Sequence, residues 1–279
     1  MTFLNRIYKS DIINFIPRYF LRKLKKKFNY YFIEIDNEKL PANSHPTIMT
    51  LEEQEKIIKN FNLKNYIPWT TCPYLVQLLK LISIDQSKDY NFLDFGGGNI
   101  DHYLYLKKNL KNIKYFYYDQ KKNNEIILEI KKKYFLKDIE VLSNFDEIKQ
   151  NNYHFIHLGS VIQYVENYKL ILNSLIDTAP EYIFFTAQTF YEKKANKIEN
   201  IIVKQVNTLP QVNFCYFFEY ESFLNIFKAQ SFEPVFKVIN FTDKVNYANF
   251  NEKHGKIEYC DLLLKRIKVY YFFFKKFLT

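Results

Sequence analysis

Residues Asn91 to Asp101 read N-F-L-D-F-G-G-G-N-I-D. The chain has five glycines in 279 residues, and three of them, Gly96, Gly97 and Gly98, stand together here. Glycine serves where the backbone needs a positive φ or must approach a ligand with no side chain between. An apolar run that ends around an acid, Phe92-Leu93-Asp94-Phe95, precedes the glycines, and a helical segment, Ile100 to Leu110, follows them. Strand, tight glycine turn, helix is the layout that points helix N-terminal amides at a nucleotide-like ligand.

Working outward from that turn, strand and helix patterns alternate. Strands are expected at Tyr90–Phe95, Lys114–Tyr118, Ile139–Leu142, Tyr153–Leu158 and Tyr182–Thr186. Helical faces lie between them, at Ile100–Leu110, Glu125–Phe135 and Gln163–Ile176. This alternation predicts an α/β fold, a doubly wound and mostly parallel sheet covered on both faces. Two later strands, Phe232–Ile239 and Tyr259–Leu264, suit an antiparallel hairpin at its edge and bring the expected count to seven. Upstream, Thr50 and Glu53 have the spacing of a capping box that opens a helix to about Phe61. The expected organisation is a basic helical or irregular extension over 1–66, the domain over 67–268 and a basic aromatic tail over 269–279.

The net charge of +10 is uneven. Residues 1–30 hold eight basic side chains against Asp11, and residues 265–279 hold five with no acid, so the middle is slightly acidic. A domain-wide nucleic-acid footprint is therefore not expected. The basic ends fit peripheral contact with an anionic membrane. No apolar run approaches the roughly 18–20 residues of a spanning helix. Three cysteines without a C-x-x-C pair point to a reducing, cytoplasmic setting, possible attachment at the inner membrane face included. Aromatic content of 19% follows a general inflation of Asn, Lys, Ile, Tyr and Phe and is not a signal by itself. No spacing of His and Cys suggests a metal site.

A dinucleotide site asks for G-x-G-x-x-G, and the third position here is Asp101, which disfavours a nicotinamide-dependent sugar oxidoreductase. The pattern D-x-G-x-G is satisfied by Asp94, Gly96 and Gly98. It resembles the motif that S-adenosylmethionine-dependent methyltransferases carry after their first strand. In that reading Asp94 holds the cofactor's ammonium directly or through water. Asp119, 21 residues after Gly98, offers two acceptor oxygens to a ribose diol. Asn144 and Phe145 would flank the adenine.

The turn with the following His102-Tyr103, together with Ser160-Val161-Ile162-Gln163-Tyr164, resembles a bacterial methyltransferase family associated with lipopolysaccharide, O-antigen and capsule gene clusters. The resemblance covers roughly 88–240. A segment that the family keeps rich in Asn, Arg, Thr and Pro reads here Thr186-Ala187-Gln188-Thr189-Phe190. The resemblance implies S-adenosyl-L-methionine as cofactor, with Asp94, Gly96, Gly97, Gly98, His102, Asp119, Asn144, Phe145 and Ser160 around it. It implies as acceptor a hydroxyl or amino group on a surface-glycan sugar, small, lipid-linked or nucleotide-linked. A sulfonium methyl is already activated, so alignment of the acceptor is the main task, aided by a base for a hydroxyl. Gln163 and Tyr164 are the expected positioning residues and His157 the candidate base. The alternative is a non-catalytic module that keeps the fold and binds membrane through its ends.

Overall fold

The computed structural model describes residues 32–41, 49–61, 71–82, 88–192, 200–205, 213–239, 250 and 254–267. In chain order the strands are β1 (Phe32–Glu34), β2 (Tyr90–Phe95), β3 (Ile113–Tyr118), β4 (Ile139–Val141), β5 (Phe155–Gly159), β6 (Tyr182–Tyr191), β7 (Asn200–Gln205), β8 (Asn213–Glu219), β9 (Phe232–Ile239) and β10 (Ile257–Arg266). The helices are α1 (Leu51–Phe61), α2 (Thr71–Ile82), α3 (Asp101–Asn109), α4 (Lys121–Lys133), α5 (Phe145–Lys149), α6 (Tyr168–Asp177) and α7 (Tyr220–Lys228). A 3-10 turn, Ile162–Tyr164, follows β5.

Five parallel strands in the order β4-β3-β2-β5-β6 form the body of the sheet. Their sequences are near-continuous apolar runs because both faces are covered. On one face Leu93, Phe95, Phe116, Ile156, Leu158 and Phe185 share a core with residues of α6 and α7. On the other, Phe92, Tyr115, Tyr117, Phe155 and Phe184 pack with α2, α3 and α4. The period-2 alternation of side chains assigns neighbours to opposite layers. Each fully buried side chain of this size contributes about 1.5–3 kcal/mol before the entropy of ordering is counted.

The antiparallel closing pair is present, with β10 inside and β9 at the rim: β10 pairs with β6 on one side and β9 on the other. The expected seven strands are joined by three more. Past Thr186, β5 no longer covers β6, and Phe190 and Tyr191 pair there with Phe218 and Glu219 of β8. β7 and β1 continue outward from β8 as an antiparallel ribbon. The described sheet therefore has ten strands, three of them standing beyond the C-terminal end of β5.

Of the segment expected as an extension, Phe32–Glu34 and Leu51–Phe61 pack on this body. β1 pairs with β7 through Phe32–Glu34. α1 opens on the capping box: the Glu53 amide donates to Thr50 Oγ1 at 3.3 Å and the Thr50 amide to Glu53 Oε2 at 2.8 Å. The expected continuous helix over 163–176 is split. Val165 is extended at φ −106°, ψ 118°, so the 3-10 turn ends there and α6 begins afresh at Tyr168. Residues 1–31 and 268–279, which hold most of the terminal basic charge, lie outside the described residues. Among the described residues no helix is long and apolar enough to cross a membrane.

Candidate functional site

The glycine turn joins β2 to α3 at the C-terminal edge of the sheet. Gly96 sits at φ +71°, and a Cβ there would collide with Val161 on the loop after β5. A Cβ on Gly97 would stand 2.9 Å from Asp94 Oδ2 and overlap the Tyr117 ring. At Gly98, φ +65°, a Cβ would meet nothing within 4 Å. The turn is thus pressed against protein on one side and open on the other, the shape of a backbone cradle for a ligand. Asn99 opens α3, its Oδ1 accepting the Asp101 amide at 2.7 Å.

Asp94 lies behind the turn and is 1% exposed. Its Oδ1 faces His157 Nδ1 at 2.8 Å, its Oδ2 faces His102 Nδ1 at 3.3 Å, and the Tyr115 hydroxyl donates to Oδ2. Burial by itself would push the Asp94 carboxyl up, but the bonds from His102 and His157 hold it well below the usual carboxylate range. For His157 burial outweighs the pull of Asp94 and the imidazole is pushed down, toward the neutral form. A neutral His157 bonded to a carboxylate donates from Nδ1, so Nε2 accepts from Thr186 Oγ1, 2.9 Å away. Asp94, His157 and Thr186 come from three adjacent strands and form one buried chain of hydrogen bonds. Direct capture of a cofactor ammonium by Asp94 therefore does not fit, because the carboxylate is sealed from solvent and its oxygens are held by core side chains. Asp94, His102 and His157 also bring ligand atoms within 4.8 Å of one another, a donor set that a divalent cation could use.

Asp119 stands at the end of β3, on the open side. Its Oδ2 accepts from the Gly98 amide at 2.9 Å, from Asn123 Nδ2 at 3.0 Å and from the Tyr117 hydroxyl at 3.3 Å. Its Oδ1 accepts the Gln120 amide at 2.6 Å, and its own amide donates to Asn124 Oδ1 at 2.8 Å. Unlike Asp94 it is only part-buried.

Farther along the edge, Asn144 caps α5: its Oδ1 accepts the Glu147 amide at 3.0 Å and its Nδ2 donates to Glu147 Oε1. Phe145 packs edge-on to Phe95 and Tyr118 with centroids 6.3 and 6.1 Å apart, half-buried above the ends of β2 and β3. After β5, Ser160 takes φ +52°, and its Oγ accepts from Gln163 Nε2 at 2.9 Å. Gln163 is 6% exposed, and its Oε1 has no partner among the described residues. Tyr164 donates to Gln205 Oε1 of β7 at 2.9 Å and so ties the 3-10 turn to the added ribbon. Burial raises the Tyr164 pKa, so its hydroxyl is a donor and not a base near neutrality.

The structure thus brings Asp94, Gly96–Gly98, His102, Asp119, His157 and Ser160 to one edge, with Gln163 and Tyr164 beside them. Two contributors escaped the sequence reading. Gln54 of α1 donates from Nε2 to the Gly98 carbonyl at 3.1 Å and accepts the Ile100 amide on Oε1 at 3.1 Å, bracing the turn on both sides. A glutamine on the buried stripe of α1, one turn before Ile58, is the signal that could have found it. Thr186 extends the Asp94–His157 pair and carries no pattern of its own.

No family model matches the chain, and no curated protein matches it by sequence. In shape it is similar to solved structures. One is the N-terminal domain of EvdMO1 with SAH bound, at TM-score 0.50 and 10% identity, covering 80% of this chain and 100% of that one. The same domain in the presence of SAH and D-fucose gives TM-score 0.51 and 9% identity, with 80% and 100% covered. A lower likeness, TM-score 0.48 at 9% identity over 85% of this chain and 100% of the other, is to the Burkholderia thailandensis 1,6-didemethyltoxoflavin-N1-methyltransferase.

Proposed function

We propose, from a fold that is the Rossmann-like fold of S-adenosylmethionine-dependent methyltransferases, that the chain is such an enzyme, with S-adenosyl-L-methionine as its cofactor. The observation that carries the proposal is the open face of Gly98 beside the half-exposed Asp119 carboxylate at one strand edge. The cradle fits a cofactor that needs a diol acceptor and backbone amides. The solved EvdMO1 domain, which has SAH bound, supports the choice.

When bound, the cofactor supplies an activated methyl group. The chain's own residues supply position. Asp119 would turn from the Gly98 amide to the ribose hydroxyls, and Gly98 keeps the backbone clear on the ligand side. Phe145 offers an apolar ring toward the adenine side. His102, partly exposed and bonded to Asp94, lines the methionine side. Asp94 acts through His102 and the turn and not by direct contact.

The acceptor we propose is a hydroxyl or amino group on a sugar of cell-surface polysaccharide or O-antigen synthesis. EvdMO1 in the presence of D-fucose and the Ser160–Tyr164 motif support this class. Gln163 Oε1 would accept from the acceptor, and Tyr164 holds the loop through Gln205. His157 would take a proton through Thr186 when the acceptor is a hydroxyl. The basic ends, 1–30 and 265–279, would bring the enzyme to a membrane that carries such precursors.

Calorimetry of the full chain with S-adenosylhomocysteine and with NAD tests the reading. Binding of the first alone is expected, weakened more than tenfold in Asp119→Ala. Binding of NAD alone, or of neither, would overturn it in favour of an oxidoreductase or of a non-catalytic module.

A further inference from the structure

The sheet has a second edge, opposite the glycine turn. β3 and β4 begin there at Ile113 and Ile139, and α3 and α4 end there at Asn109 and Lys133. A hollow of about 540 Å³ opens at this edge, and Lys107, Lys111, Lys114, Lys131 and Lys137 line it. Lys107 pairs with Asp138 at 3.1 Å and Lys114 with Glu140 at 2.9 Å. Lys111, Lys131 and Lys137 have no ion pair among the described residues, and Asp89 is the third acid of the lining beside Asp138 and Glu140, so five lysines against three acids leave the hollow a net charge of +2.

Phe135 stands next to it. α4 ends in a Schellman arrangement: the Leu136 amide donates to the Lys131 carbonyl at 3.0 Å and the Phe135 amide to the Lys132 carbonyl at 3.4 Å. Phe135 therefore holds the left-handed position, φ +52°, where glycine is the usual residue. A bulky side chain at positive φ is an outlier. The ring gains nothing from packing to offset it, being 83% exposed, and it is the one exposed aromatic among the described residues. Lys131, Lys132 and Lys137 flank it in sequence.

We infer that this edge docks on an anionic lipid bilayer, the lysine hollow receiving headgroup phosphates and Phe135 entering the acyl boundary. An apolar ring set in a collar of unpaired cations matches that surface, in which charge and apolar insertion act together. Single-stranded nucleic acid would ask for several rings along a groove, and one ring is present. The surface is built from residues 107–137 of the folded domain. Docked this way, the glycine turn faces away from the bilayer, about 20 Å above it by the length of the six-residue strands β2 and β3.

The test is flotation of the full chain with phosphatidylglycerol–phosphatidylcholine vesicles against pure phosphatidylcholine. Binding to the anionic vesicles is expected, with about a fivefold loss for each lysine removed. Lys111→Glu/Lys131→Glu/Lys137→Glu should therefore abolish measurable flotation. Phe135→Gly separates docking from folding, because it should raise the melting temperature by relieving the left-handed backbone while lowering vesicle binding severalfold. Phe135→Trp should keep binding and blue-shift its emission on anionic vesicles. Undiminished flotation of the triple variant at an unchanged melting temperature would overturn the proposal and leave binding to the chain ends. So would a Trp emission that vesicles leave unmoved, or saturable binding of inorganic phosphate or RNA with none to vesicles.

Discussion

Asp94 and Asp119 end neighbouring strands and flank the same three glycines, yet they have opposite situations. Asp94 is sealed in, held by two histidines and a tyrosine. Asp119 is part-buried, and one of its four bonds is to an amide of the turn that a ligand could displace. An acid at motif spacing is scaffold or ligand according to its burial and the partners it already has. Asp94 fixes the turn from behind, whereas Asp119 meets what enters from the front.

The sharpest way to break the comparison is to remove each acid in turn. Asp94→Ala leaves His157, His102 and the Tyr115 hydroxyl without their acceptor in the core. About 3–5 kcal/mol of stability should be lost in chemical denaturation. Asp119→Ala, in a part-exposed site where water can replace its bonds, should cost less, about 1–3 kcal/mol, while weakening S-adenosylhomocysteine binding. Equal destabilisation by the two would erase the distinction.

Gln54→Leu asks whether the turn is braced from α1 as well as from Asp94. It strips two bonds from backbone groups of the turn and should cost about 1–3 kcal/mol. The turn amides should also exchange faster with deuterium. Unchanged exchange at Gly98 and Ile100 would show the brace to be idle.

The smallest effect is read along the pH axis. His157 is depressed when folded and returns to about 6.5 when unfolded. Below that value the unfolded chain takes up the proton first, so stability is full above it and declines below it. The slope from this one group is at most about 1.4 kcal/mol per pH unit. Asp94 acts lower. Its contribution is complete above its unfolded value of 3.8 and drains away as acid approaches the depressed folded value. His157→Gln should remove the loss that begins as pH falls below 6.5, measured as melting temperature, and leave the later one.

Much of the parallel sheet was legible because buried parallel strands are apolar runs and the helices between them keep a one-sided stripe. The glycine turn was legible because glycine is rare in this chain. The ribbon β1-β7-β8 was legible only at β8, where Phe214–Phe218 reads as a strand or an aromatic loop, since Ile201, Ile202 and Val203 give an apolar run without a partner to name, and β1 is three residues from a segment that reads as loop. Nor was the inward aim of Asp94 visible, because it depends on His157 and Tyr115 arriving from two other strands. Asn144 read as an adenine contact and stands as the cap of α5, the ordinary use of asparagine before a short helix.

The place of β10 bears on how the chain can be made. Among the described strands β10 comes last in sequence, yet it lies between β6 and β9, and β9 has no other described partner in the sheet. During synthesis, β6 must wait for residues 257–266 with that edge unpaired. Such an edge is a template for association with other chains, and long-range closures of this kind form late. β10 is therefore also the quality check: until it is threaded home, the nascent protein presents to its neighbours the surface it will later hide.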